Sequence, residues 1–185
     1  MVSKEEICGI IDATGALNIE ELYLAAKELA HLRNENPVLM PELKNICQGA
    51  EKEDLIVAVS WEEVEGMEEN DSDYYISGPN AFPDVPFELS EVIDILELTK
   101  REVDLSKVSV RVGRNLHRRI KNLEKKIESV SKEKIHEKDL ENLEYRYSDI
   151  LNQYYDYSFW LQDDISHVED EIKELSSRIE ALKPA

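Results

Sequence analysis

The chain has 185 residues, 42% hydrophobic and 34% charged, with a formal net charge of −19. This is the composition of a helix-rich protein of one ordinary domain plus an elongated appendage. It contains no run of 18 apolar residues and no basic leader followed by an apolar core, so neither a membrane span nor a secretory signal is expected.

The charge is unevenly placed. Residues 1–104 carry 7 Lys/Arg against 25 Asp/Glu, residues 105–138 carry 11 against 4, and residues 139–185 carry 4 against 12. The acidic bulk repels polyanions, which excludes non-specific nucleic-acid binding by the whole surface and leaves only the basic segment able to make such contact. Two cysteines, Cys8 and Cys47, are too few for a disulfide framework and lack metal-ligand spacing. They are expected to be reduced, buried and apolar in a cytoplasmic protein.

Ser3 with Glu6 forms a capping box, in which hydroxyl and carboxylate satisfy otherwise unpaired amides of a first helix ending near Gly15. Asn18 with Glu21 repeats the signal for a second helix that stops near Asn34, ahead of Pro37. A third starts at Pro41, where a missing amide costs nothing, and turns Leu43, Ile46, Cys47 and Ala50 inward. Residues 54–60 read as a strand, Ser60 to Glu63 as a fresh cap, and Tyr74 to Ser77 as a second strand that pairs with the first. Gly78 to Pro86, with three prolines, is a loop. Helix resumes with Leu89, Val92, Ile93 and Leu96 and ends near Lys100.

From Ser106 or Ser109 a basic helix carries Leu116, Ile120, Leu123, Ile127 and Val130 at heptad spacing. The last long stretch, Asp139 to Leu182, reads as one unbroken helix about 66 Å long at 1.5 Å per residue. Its seam contains Leu140, Leu143, Tyr147, Ile150, Tyr154, Tyr157, Leu161, Ile165, Val168, Ile172, Leu175, Ile179 and Leu182. The 3,4 spacing has one 4,4 step, at Leu161 to Ile165, which reads as a stutter. The register slips between the two helices across residues 131–139, which predicts a turn and an antiparallel hairpin. Folding near residue 135 pairs i with about 270 − i, setting Leu116 against Tyr154, Ile120 against Ile150 and Gly113 against Tyr157. The seam beyond residue 164 then has no mate in the hairpin and is expected to pack on the N-terminal domain or on another copy. Leu151, Tyr155, Phe159 and Trp160 widen the stripe into an aromatic belt expected to dock a domain or dimerise.

The expected fold is therefore mainly α. An acidic helical domain over 1–104, winged-helix-like with a minor β element and the Pro-rich loop 78–86, precedes a long coiled-coil hairpin over 105–185.

One local pattern points toward nucleic acid. The helix at 88–100, the segment Leu105 to Gly113 and the basic run Arg114 to Glu124 together resemble the winged-helix or helix-turn-helix superfamily. The basic run is similar to its recognition helix, over about a fifth of the chain. The resemblance implies that Arg111, Arg114, His117, Arg118 and Lys121 face phosphates and base edges. The alternative is that these cations form the basic arm of a charge-complementary hairpin.

The remaining chemistry is sparse. The acids Glu62, Glu63, Glu65, Glu68 and Glu69, and the run Glu169, Asp170, Glu171 and Glu174, read as solvated faces and not as paired magnesium sites. His31, His117, His136 and His167 lack ligand spacing, and neither a nucleophile elbow nor a phosphate loop is present. No cofactor and no catalysis are expected. The sequence favours an adaptor or oligomerisation protein with a protein partner or a second copy. The alternative is a DNA-binding regulator dimerising through its last helix.

Overall fold

The computed structural model describes residues 2–130, 136–161, 165 and 167–183. The chain divides into two units, Met1–Asp104 and Leu105–Ala185.

In the first unit the elements run α1 (Lys4–Thr14), β1 (Leu17–Asn18), α2 (Ile19–Leu32), α3 (Met40–Lys52), β2 (Ile56–Val59), a 3-10 turn (Trp61–Glu63), β3 (Tyr74–Ser77) and α4 (Leu89–Leu96). Both capping boxes form: the Glu6 amide donates to Ser3 Oγ at 3.1 Å, and the Glu20 and Glu21 amides donate to Asn18 Oδ1 at 3.0 and 2.9 Å. Strands β2 and β3 pair antiparallel from Ile56↔Ser77 to Val59↔Tyr74. The sequence missed β1, a two-residue strand on the other side of β3, which sets the sheet order β1-β3-β2. One core joins α1, α2 and α3 to the sheet and α4, with Ile7, Ile10, Ile11, Leu22, Leu29, Leu43, Ile56 and Val92 sealed from solvent.

Helix α4 is shorter than expected. It stops at Leu96 because Glu97 adopts a left-handed conformation, φ 51°. The following residues form an extended strap tied to the domain at three points. The Arg101 amide donates to Thr14 O, the Asp104 amide donates to Glu63 O, and Val103 bridges to Val64.

The second unit is a three-helix bundle of α5 (Leu105–Ser129), α6 (Glu137–Leu161) and α7 (His167–Glu180). Helices α5 and α6 are antiparallel in the register expected. The rule places Arg119 opposite residue 151, and its guanidinium spans Asp149 and Gln153 on either side. The turn expected at 131–139 falls largely on residues 131–135, outside the described residues.

The single rod from Asp139 to Leu182 is overturned. Helix α6 ends at Leu161, and α7 runs back along it, bringing Lys183 Nζ 3.1 Å from Glu144 Oε1. The 4,4 step at Leu161 to Ile165 marks the site of this reversal and not a stutter. The unmated seam therefore finds its partners within the same unit: Ile165, Val168, Ile172, Leu175, Ile179 and Leu182 are all buried. Gly113 faces α7, not Tyr157. A Cβ there would lie 3.3 Å from the His167 imidazole, so glycine lets the two helices close.

Candidate interaction surfaces

The helix-turn-helix expected over 88–124 does not form. Helix α4 and the basic run belong to different units, and Gly113 and Arg114 are interior residues of one continuous 25-residue helix. The expected contact residues nevertheless share a surface. Arg111, Arg114, His117, Arg118 and Lys121 are all exposed. At 100° per residue, Lys107, Arg111, Arg114, Arg118, Lys121 and Lys125 lie within about 50° of the line opposite the core positions Leu116, Ile120, Leu123 and Ile127. Cations thus occupy the outer ridge of α5.

Side-chain contacts between the helices include the following pairs. Arg119 reaches α6, as described above. His117 Nδ1 sits 2.8 Å from Glu171 Oε2 on α7, and Arg178 of α7 reaches Glu128 Oε1 at 3.0 Å. These contacts advance along both helices together, so α7 runs parallel to α5. On α5 itself, Arg118 donates to Asn115, and Lys121 lies 2.8 Å from Glu124. Beside the ridge, a groove of about 140 Å³ between α5 and α6 is lined by Arg119, Asn122, Lys126 and Arg146 above Leu123 and Ile150.

Of the expected seam, Leu116, Ile120, Leu123, Ile127, Ile150, Tyr154, Tyr157 and Leu161 are buried, while Tyr147 and Trp160 are half-buried. Trp160 meets Tyr157 edge-on, with ring centroids 5.8 Å apart. Of the aromatic belt beside the seam, Tyr155 and Phe159 point to solvent, whereas Leu151 and Trp160 are half-buried.

Sequence reading missed the most exposed apolar side chains of the first unit. These are Phe82 and Phe87, the latter 96% exposed, on the loop from Gly78 to Glu88, which also displays Val85. Loop it is, but a pinned one. The Gly78 amide donates to Leu55 O, the Asn80 amide to Asp54 O and the Asp84 amide to Glu5 O, at 2.9–3.0 Å. Gly9 of α1 lies so close beneath it that a Cβ would fall 2.2 Å from the Asp84 carbonyl oxygen. At the loop's end Arg33 bonds both Glu6, at 2.7 Å, and Glu88, at 3.0 Å, and these two carboxylates raise the pKa of its guanidinium further. The signal available in the sequence was Phe-Pro-Asp-Val-Pro-Phe itself, in which apolar residues alternate with helix-blocking prolines and cannot form a buried element.

The cysteines are free and buried; burial, more than the nearby Glu51, pushes the Cys47 thiol up to about 12. The two acidic runs fall in different units. Within them, Glu63 is buried and receives the Ser60 amide at 2.8 Å, Glu171 faces His117, and Glu169 holds Lys173 at 2.6 Å. Among the described residues no group of His, Cys, Asp and Glu is placed to hold a metal ion, and no helix is long and apolar enough to cross a membrane.

No curated protein and no solved structure matches the chain. A match to a family does exist, and it covers residues 5–177. It runs from the first turn of α1 almost to the end of α7, across both the pinned loop and the basic ridge, so the two units are matched together. The chain belongs to this family of unknown function, DUF7109.

Proposed function

We propose that the protein is a non-enzymatic adaptor that works by binding other macromolecules, and that its first unit docks a protein partner through the Phe82–Phe87 loop. The observation that carries this reading is the exposure of two phenylalanines on a segment held by hydrogen bonds at both ends. An exposed aromatic costs little ordering entropy when its backbone is already fixed, and such side chains are typical anchors of protein interfaces. The surrounding unit holds 25 acidic against 7 basic residues. The partner fitted to it therefore has an apolar pocket with a cationic rim, since charge complementarity steers encounter and selects the partner.

The element order α1-β1-α2-α3-β2-β3 with sheet order β1-β3-β2 supports a winged-helix reading of residues 4–77, in place of residues 88–124. Its surface argues for protein contact and not for reading a duplex. Helix α3 exposes Glu42, Lys44, Asn45, Gln48 and Lys52, close to neutral in sum, and the connection between β2 and β3 exposes Glu62, Glu65, Glu68, Glu69, Asp71 and Asp73. Phosphates would be repelled there.

A photo-crosslinking residue replacing Phe87, in cells that make the protein, tests the proposal. One dominant heterologous adduct, lost when Phe82→Ser is added, is expected. Adducts only to the chain itself, or none, overturn it.

A further inference from the structure

We infer that the groove between α5 and α6 binds the phosphoryl group of a phosphorylated segment of a partner protein. This is independent of the protein-docking loop, which lies in the other unit. Arg119, Asn122 and Lys126 recur at 3,4 spacing along one flank of α5, and Arg146 of α6 lines the same groove of about 140 Å³ above the buried Leu123 and Ile150. The register that sets i against about 270 − i places Arg146 opposite residue 124, between Asn122 and Lys126. Three cations thus converge from two helices, with Asp149 as the counter-charge on Arg119. The other flank of α5 is built differently. There Arg178 of α7 reaches Glu124 and Glu128, and Lys121 lies among Glu124, Glu171 and Glu174, so cation meets anion. Like charges set against each other cost stability, so assembly of the bundle does not explain why Arg146 and Lys126 share a groove. An anion held between them does.

The donors suit a phosphate monoester. Arg146 is oriented by its Nε, which donates to Asn142 Oδ1 at 2.6 Å, and Arg119 by its two Nη atoms, which donate to Gln153 and Asp149. A guanidinium carries five N–H donors, so both arginines keep donors for a ligand, and the Lys126 ammonium brings three more. Three cations against one anion leave two positive charges unbalanced. A phosphoryl monoester carries about −1.5 to −2 and three acceptor oxygens, one for each convergent cation. A carboxylate brings a single charge and two oxygens, so an acidic segment fits less well. Duplex phosphates are diesters of single charge along a convex rod, which a concave groove admits poorly. Leu123 and Ile150 offer an apolar floor to the side chain beside the phosphorylated residue, and the Asn122 amide can both donate to and accept from a peptide backbone. Clustered arginines are a recurrent means of recognising phosphorylated segments.

The experiment is fluorescence anisotropy of the full chain with a labelled library of short peptides, degenerate except for a central phosphoserine, beside the same library with serine or glutamate at the centre. The phosphoserine library should bind at least about tenfold more tightly than either, the return of one charge-assisted hydrogen bond. Lys126→Gln combined with Arg146→Gln should abolish this preference and keep the helical circular dichroism, because glutamine is nearly as good a helix former. Lys121→Gln, on the other flank, should leave the preference unchanged. Since Lys126 faces like charge, Lys126→Gln alone should not lower the melting temperature. Equal binding of the three libraries, a preference that survives the double variant, or a melting temperature lowered by Lys126→Gln would each overturn the inference. So would displacement of the peptide by inorganic phosphate or by a mixed-sequence duplex at equal phosphate concentration, which would assign the groove to a free phosphate or to nucleic acid.

Discussion

Gly9 decides whether the phenylalanine loop can lie where it does. In the middle of a helix, glycine to alanine ordinarily stabilises by about 1 kcal/mol. Here the added methyl would meet the Asp84 carbonyl oxygen at 2.2 Å. Gly9→Ala should therefore destabilise the first unit, by about 1–3 kcal/mol as overpacking does, and chemical denaturation monitored at Trp61 would read it. A second residue-scale device is the pair formed by Arg101 and Glu21, joined at 2.6 and 2.7 Å beneath the Tyr74 ring. Burial pushes the Glu21 carboxyl up, but the Arg101 guanidinium and the Asn18 amide outweigh it, and the net shift is downward. A carboxyl lowered in the folded state contributes stability that is complete above its unfolded pKa, near 4.3, and is lost as pH falls through the lower folded value. Arg101→Met should cost about 2 kcal/mol at neutral pH, as loss of charged hydrogen bonds does, and the cost should shrink in the acid limb to what the Arg101 bond to Ala16 O and its contact with the Tyr74 ring contribute. A cost that stays constant with pH would show that the pair does not hold the strap.

At the scale of elements, what could be read from the sequence were features written locally: both capping boxes, the strand pair β2–β3 and the pairing of i with 270 − i. The reversal between α6 and α7 could not be read, because neither Gly nor Pro marks it and the heptad spacing continues on both sides. Both arms face the same core, so the seam looks continuous although the helix is not. The pairing sets Gly113 against Tyr157, yet it is small because α7 approaches α5 there, and no local pattern tells which helix a seam glycine faces. The ridge of α5 was visible as a basic run. Its orientation depended on knowing that α7 takes up the second flank of the helix. Closure by α7 has a direct consequence for stability. Leu175 is fully buried, so Leu175→Ala should cost about 2–5 kcal/mol. Because its neighbours belong to the same chain, the melting temperatures of wild type and variant should not depend on protein concentration. A concentration-dependent midpoint would restore the second copy that the uninterrupted rod demanded.

Across the whole molecule the two units differ most in charge. Residues 1–104 hold 25 acidic against 7 basic side chains, whereas residues 105–185 are nearly balanced, 16 against 15. Self-repulsion burdens the first unit alone, and screening relieves it. The two tryptophans report separately, Trp61 from the 3-10 turn of the first unit and Trp160 from α6. Added salt should raise the midpoint seen in a Trp160→Phe variant and barely move the one seen in Trp61→Phe. Equal shifts would show that the units unfold as one.

The strap that closes the first unit joins residues far apart in sequence, Arg101 with Glu21 across 80 positions, whereas the bundle is wound from three consecutive helices. Nearby partners meet sooner than distant ones, and helical bundles are among the quickest topologies to form. On dilution from denaturant the Trp160 signal should recover before that of Trp61. The half synthesised last would then be the first to reach its native order, leaving the acidic half unfinished until its final residues are in place.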